Sequence, residues 1–175
     1  MNKNIDNRIK DVSEFRSSLT PETDRGCALI AAAYFDVQLE ELLSAYFVDD
    51  KRVSGNLLDN SKPLSTFSSR IDITYALGLI SENSHRDLHL LRKIRNEFAH
   101  EHKPIDFRDS KISNRCRELY HNTLENDIHP RTIFNRTVMS ILAAIHTEIR
   151  TAKRFKKKKD HFDSKNIADF ISNVD

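Results

Sequence analysis

The sequence predicts an all-α protein, a single-domain helical bundle of about six to eight helices. Only 3 Gly and 4 Pro occur in 175 residues, too few to make the many turns of an all-β chain. Apolar residues recur at three- and four-residue spacing in one segment after another. A content of 38% hydrophobic and 31% charged residues suits helices with wet outer faces around one core. The expected domain covers 1–160, with its core at about 20–152; residues 161–175 are expected to be a tail holding a short amphipathic helix.

Ile5, Ile9, Val12 and Phe15 are spaced for a first short helix. Thr20-Pro21-Glu22 then offers a cap, a first-turn proline and an acid at the positive helix end, opening a helix over 21–48. That helix is apolar nearly all round from Cys27 to Phe35, the pattern of a buried central helix. VSGNLLDNSKP reads as a turn-rich connector. A helix over 64–78 places Phe67, Ile71, Thr74 and Tyr75 at helical spacing and ends at Gly78. Ser81 caps a helix over 82–100, which Lys103-Pro104 stops, because proline disfavours helical geometry in the residue before it. A shorter helix spans 109–121 with Cys116 and Leu119. Pro130 opens a long final helix with a stripe of Phe134, Val138, Ile141, Leu142, Ile145 and Ile149. Ile167, Phe170 and Ile171 supply the apolar side of the tail.

Several function classes fall away on composition. No apolar run approaches the roughly 20 residues that span a bilayer, and MNKNIDNRIKDVSEF lacks the apolar core of a secretory signal. Cys27 and Cys116 have no CxxC or histidine spacing around them and read as buried, reduced thiols of a cytoplasmic protein. No cofactor is expected; three glycines do not build a phosphate-binding loop. The net charge is +2, yet Arg150, Lys153, Arg154, Lys156, Lys157, Lys158 and Lys159 are seven cations without an intervening acid, which leaves the remainder at −5. These lysines read first as a solubilising complement to the negative end of a long helix. The alternative is phosphate contact, blind to base sequence and sensitive to salt.

The most informative stretch is Leu88 to His102, LHLLRKIRNEFAHEH. At about 100° per residue, Leu90, Leu91, Ile94 and Phe98 share one side, with Leu88 and Ala99 at its edge. His89, Arg92, Asn96 and His100 line the polar side, and Arg95 falls on the border. The expected role of Arg95 is structural: a buried ion pair with Asp36, which is stranded in the apolar run AAAYFDVQL and needs a partner. The other reading has Arg95, Asn96 and His100 acting on a phosphate or on a partner protein.

DRGCALIAAAYFDVQLEELL, PLSTFSSRIDITYALGLIS and DLHLLRKIRNEFAH together resemble the mannitol operon repressor family of bacteria, closely over Asp24 to His102 and loosely to Arg150. The resemblance implies an all-helical cytoplasmic regulator that lowers expression of mannitol-utilisation genes and has no recognised DNA-binding module. A protein partner is then expected, either another regulator or a transport component; homo-oligomerisation stays open. Separately, Arg95-Asn96-Glu97-Phe98-Ala99-His100 is similar to the R-N-x-x-x-H signature of HEPN-domain ribonucleases. That resemblance implies either a metal-independent ribonuclease, in which His100 would move protons, Arg95 would hold the phosphate and Asn96 would orient it, or an RNA-binding module. A third class, a sensor of mannitol or its phosphate, has no pocket legible in sequence.

Three further features weigh less. RIDITYALGLISENSHRDLHLL could pass for a helix-turn-helix, but Leu88, Leu91, Ile94 and Phe98 pin its second helix, and Glu82 and Asp87 would repel phosphate. His85 and His89 are four apart, yet no third metal ligand is evident in sequence, so they read as surface histidines. The expected contact surfaces are therefore Arg92, Asn96 and His100 on one side and the basic run Arg150 to Lys159 on the other. DNA contact is expected to be non-specific at most, and membrane contact is not expected.

Overall fold

In the computed structural model, which describes residues 12–120 and 128–159, the chain forms seven helices and no strand among those residues. They are α1 (12–19), α2 (Asp24–Tyr46), α3 (Lys51–Leu58), α4 (Phe67–Ala76), α5 (Glu82–His100), α6 (Ser110–Arg117) and α7 (Pro130–Thr151). The all-α single-domain expectation holds. Ile5 and Ile9 and the tail 161–175 lie outside the described residues, and the helix expected over 109–121 ends at Arg117.

α2 is the axis of the bundle. Cys27, Ala28, Ala31, Phe35, Leu39, Leu42 and Leu43 are buried, and the helix packs against α4, α5 and α7. Its start is tied to the start of α7 by Arg131 and Asp24 at 2.8 Å, and its end to the end of α7 by Tyr46 and Glu148. These two helices therefore run parallel, although more than eighty residues separate them. Arg25 donates at 2.7 Å to the carbonyl of Glu101 just past α5, so α5 runs antiparallel to α2. An arginine there also meets the negative end of the α5 dipole. No helix among the described residues is long and apolar enough to cross a membrane.

Local signals explain most of the boundaries. Ser81 caps α5 by accepting from the Ser84 N–H at 3.2 Å, as expected. Gly78 takes φ +71°, while the Gly78 and Leu79 N–H groups donate to the Tyr75 and Thr74 carbonyls. That double bond pattern with a left-handed residue closes α4 and turns the chain into an α4–α5 hairpin. One cap and one helix start differ from expectation. α2 is capped by Thr23 rather than Thr20, its hydroxyl accepting from the Gly26 N–H at 3.0 Å. α4 starts after Thr66, which forms a reciprocal capping box with Ser69.

α3 corrects the connector expected at VSGNLLDNSKP. Gly55 and Asn56 are poor helix formers, but Asp50 caps the segment through the Val53 N–H at 3.2 Å and Leu58 is buried in the core. Packing of one leucine face outweighs weak local propensity over eight residues.

Candidate functional site

The Arg95–Asp36 pair does not form. Asp36 instead meets Arg70 of α4, whose guanidinium Nη1 donates to the Asp36 carboxylate at 2.8 Å and to its backbone carbonyl at 3.2 Å. Arg70 also donates to the carbonyls of Leu64 at 2.8 Å and Leu58 at 3.1 Å, and pairs with Glu40 at 2.6 Å. Its side chain is only 7% exposed, so this fork is a buried hub joining α2, α3 and α4. Asp36 does take a cationic partner, but α4 supplies it and not α5. On α2, Asp36 lies on the side that α4 covers, not the side toward α5.

Arg95 is exposed, and its Nη1 donates to the Asn96 side-chain oxygen at 3.0 Å. Asn96 is half-buried and His100 is exposed at the last residue of α5. Arg92 is half-buried, with its Nε shielded from solvent and without an acceptor among the described residues. The opposite face is as expected: Leu88, Leu90, Leu91, Ile94 and Phe98 are all buried. What sets the corner at the end of α5 is the chain that follows it. Phe107 is fully buried between Phe98 and Phe134, with ring centroids at 5.1 and 5.0 Å. The Phe107 N–H donates to the Asp24 carboxylate at 2.9 Å, and the Glu97 carboxylate pairs with Arg115 of α6 at 2.7 Å. Neither Phe107 nor Arg115 stood out in sequence, because both act through partners on other elements. The end of α5 is thus a platform braced by these contacts, on which Arg95 and His100 are exposed and Asn96 is half-buried.

The basic run behaves differently from the expected helix end. α7 stops at Thr151, so only Arg150 lies in its last turn. Residues 152–159 continue as an irregular strap that lies against the end of α2. The Phe155 N–H donates to the Tyr46 carbonyl at 2.8 Å, the two rings lie 5.9 Å apart, and Arg154 pairs with Asp49 at 3.0 Å. Lys157 approaches Asp50 at 3.6 Å. The Asp50 carboxyl is held below its ordinary range, first by the Val53 N–H that it caps and further by Lys157. Lys153, Lys156, Lys158 and Lys159 remain exposed. The run is a cationic ribbon anchored by two aspartates, not a complement to a helix dipole.

A third grouping was missed in sequence. His85 and His89 of α5 both direct Nε2 to the same Oδ1 of Asp72, at 2.9 and 2.8 Å. Asp72 lies on α4, across the hairpin, and is the third potential ligand that the sequence did not reveal. Those hydrogen bonds lower the Asp72 carboxyl from its ordinary value, His85 contributing most. The α4–α5 hairpin is packed into the bundle at the start of its second helix. Ser84, Asp87 and Leu88, at the start of the second helix, are buried, and the Asp87 carboxylate accepts from the Tyr120 N–H at 2.9 Å.

A protein-family model described as the mannitol repressor, MtlR, matches residues 19–140. The mannitol operon repressors of Escherichia coli K12 and Escherichia coli O6:H1 are each 34% identical to this chain over 64 residues. That alignment covers 37% of this chain and 33% of theirs, so it spans about a third of the length of these curated relatives. A chain in the X-ray structure of the MtlR–HPr complex from Escherichia coli shares the fold with a TM-score of 0.64 and 19% identity. It covers 75% of this chain and 98% of that one. The family match reaches from the end of α1 into α7, taking in the α5 platform and leaving out the basic strap; the chain belongs to the mannitol repressor family.

Proposed function

We propose that the protein is a non-enzymatic transcriptional repressor of mannitol-utilisation genes, acting in the cytoplasm through a protein partner, and that HPr is such a partner. The observation that carries this is the family match over 19–140 together with the fold shared with a chain of the MtlR–HPr complex. Burial of Ser84, Asp87 and Leu88 supports action through a partner, because it commits to the bundle core one face of the helix that the sequence offered as a base reader. Arg92, Asn96 and His100 form one contact surface: three hydrogen-bonding side chains on a platform fixed by Phe107 and Arg115. Arg150, Lys153, Arg154, Lys156, Lys157, Lys158 and Lys159 form the second, with sequence-blind affinity for polyanions.

Calorimetric titration of HPr into the full chain tests the partner. Saturable binding that falls by about tenfold or more in an Asn96→Ala/His100→Ala variant is expected for contacts at an interface centre. No binding, or identical binding by the variant, refutes the assignment of HPr to this surface. The DNA arm compares the mannitol promoter with a scrambled duplex at two salt concentrations; a salt-resistant preference of about tenfold or more would contradict action through a partner. The R-N-x-x-x-H resemblance supplies the rival. A ribonuclease of that kind cuts RNA without metal, leaves a 2′,3′-cyclic end, and loses about 10²-fold or more of its rate in His100→Ala. No cleavage by wild type is expected, and His100-dependent cutting by clean protein overturns the non-enzymatic reading.

A further inference from the structure

The α4–α5 hairpin brings together three side chains that the repressor reading does not use. His85 and His89 lie one helical turn apart, so their rings leave the same face of α5. Asp72 reaches across from α4, and the three ligand atoms all lie within 4.8 Å of one another. Tyr75 stacks on His85 with centroids 4.5 Å apart, and His85 meets the edge of His89 at 4.7 Å. Both rings are therefore positioned before anything binds, which lowers the ordering cost of a ligand.

We infer that Asp72, His85 and His89 bind a borderline divalent transition ion of the zinc class, fastening α4 to α5. Two imidazole nitrogens and one carboxylate oxygen are a ligand set for zinc and its neighbours, whereas calcium and magnesium call for shells built of oxygen. A carboxylate only accepts, so each Nε2 now carries the hydrogen that points at Oδ1. Binding moves each ring proton to Nδ1 and turns both Nε2 lone pairs to the cation. Around a tetrahedral ion with bonds of about 2.0–2.1 Å, ligand atoms sit about 3.3 Å apart. The carboxylate–imidazole separations of 2.8 and 2.9 Å therefore need to open by about half an ångström, while the two imidazole nitrogens, within 4.8 Å of each other, settle at the same spacing by side-chain rotation. The Asp72 side chain is 59% exposed, so the fourth position faces water and the ion is exchangeable.

The test uses tag-free, full-length protein stripped with EDTA, titrated with zinc chloride by calorimetry and with cobalt chloride by visible absorption. One equivalent of each is expected, with micromolar or tighter zinc affinity and the intense d–d bands of four-coordinate cobalt. Saturating zinc should raise Tm by about 5 °C. Asp72→Asn and His89→Ala should each weaken zinc binding by at least about tenfold at unchanged helical circular dichroism. His102→Ala, at an exposed histidine elsewhere, should bind as wild type. If His89→Ala misfolds, Asp72→Asn carries the comparison, since it changes an exposed side chain isosterically. Absence of a zinc heat and of cobalt bands overturns the inference, and so does equal affinity in wild type and Asp72→Asn.

Discussion

Replacing Arg70 with alanine should be among the most damaging single changes on α4. Removing one partner from a buried ion pair costs about 3–5 kcal/mol when the remaining charge stays buried. Here the Asp36 and Glu40 side chains retain 34% and 46% exposure, so water re-solvates the two acids and the Coulombic part is discounted. Water does less for the Leu58 and Leu64 carbonyls, which lose their Arg70 donors at 3.1 and 2.8 Å. A buried acceptor left unpaired costs about 1–3 kcal/mol. The arginine stem also leaves a gap between α2, α3 and α4. Taken together, Arg70→Ala should cost about 3 kcal/mol, which for a chain of this size lowers Tm by about 6–12 °C. Arg70→Lys should recover less than half, because an ammonium lacks the planar fork that serves five acceptors at once. Asp36→Asn should cost about 1 kcal/mol or less, since Glu40 and the carbonyls keep their bonds. Arg95→Ala, at an exposed position, should stay within about 0.5 kcal/mol of wild type. Calorimetric melting of the four variants decides the matter. A near-wild-type Arg70→Ala beside a strongly destabilised Arg95→Ala would refute the assignment of the hub.

Three smaller effects can be read from the same fold. The Tyr46 hydroxyl is pushed up from 10.0 to about 12, chiefly by its hydrogen bond to Glu148, so the folded state favours the neutral phenol. Its stabilisation is complete below pH 10 and is lost as the pH rises from 10 toward 12; Tyr46→Phe should flatten the fall of Tm across that window, and an unchanged slope would contradict the bond. Burial pushes the Cys27 and Cys116 thiols up to about 11 and about 12, so neither should react with a thiol reagent in native protein at neutral pH, while both react in denaturant. Rapid native labelling of either would place it at the surface instead. Gly78→Ala should cost about 1 kcal/mol, from the left-handed φ of +71° alone, because no atom lies within 4 Å of the added methyl. A loss several times larger in denaturant unfolding would mean that the turn packs more tightly than this.

How much of this was legible in sequence follows the range of the forces involved. The sequence by itself determined the helical class and most of the helices, since those depend on neighbours within one turn. Ser81 caps α5, Gly78 ends α4, Pro130 opens α7, and the Leu90, Leu91, Ile94 and Phe98 face is buried as its spacing required. Family membership was legible for a related reason, since three separated segments agree in order and spacing. Only the tertiary structure decided which charged groups meet. Asp36 pairs with Arg70 rather than Arg95 because α4 covers that side of α2, a matter of helix packing that no rule within one helix reports. Asp72 joins His85 and His89 for the same reason: the hairpin sets its register across thirteen and seventeen residues. The strap 152–159 leaves the helical path where its backbone and basic side chains find Tyr46, Asp49 and Asp50 on α2 and the loop beyond it. α3 forms with Leu58 buried in the core and the Leu58 carbonyl held by Arg70 of α4. Local propensity sets where helices begin and end; burial between distant elements sets which of their side chains become a hub, a platform or a site.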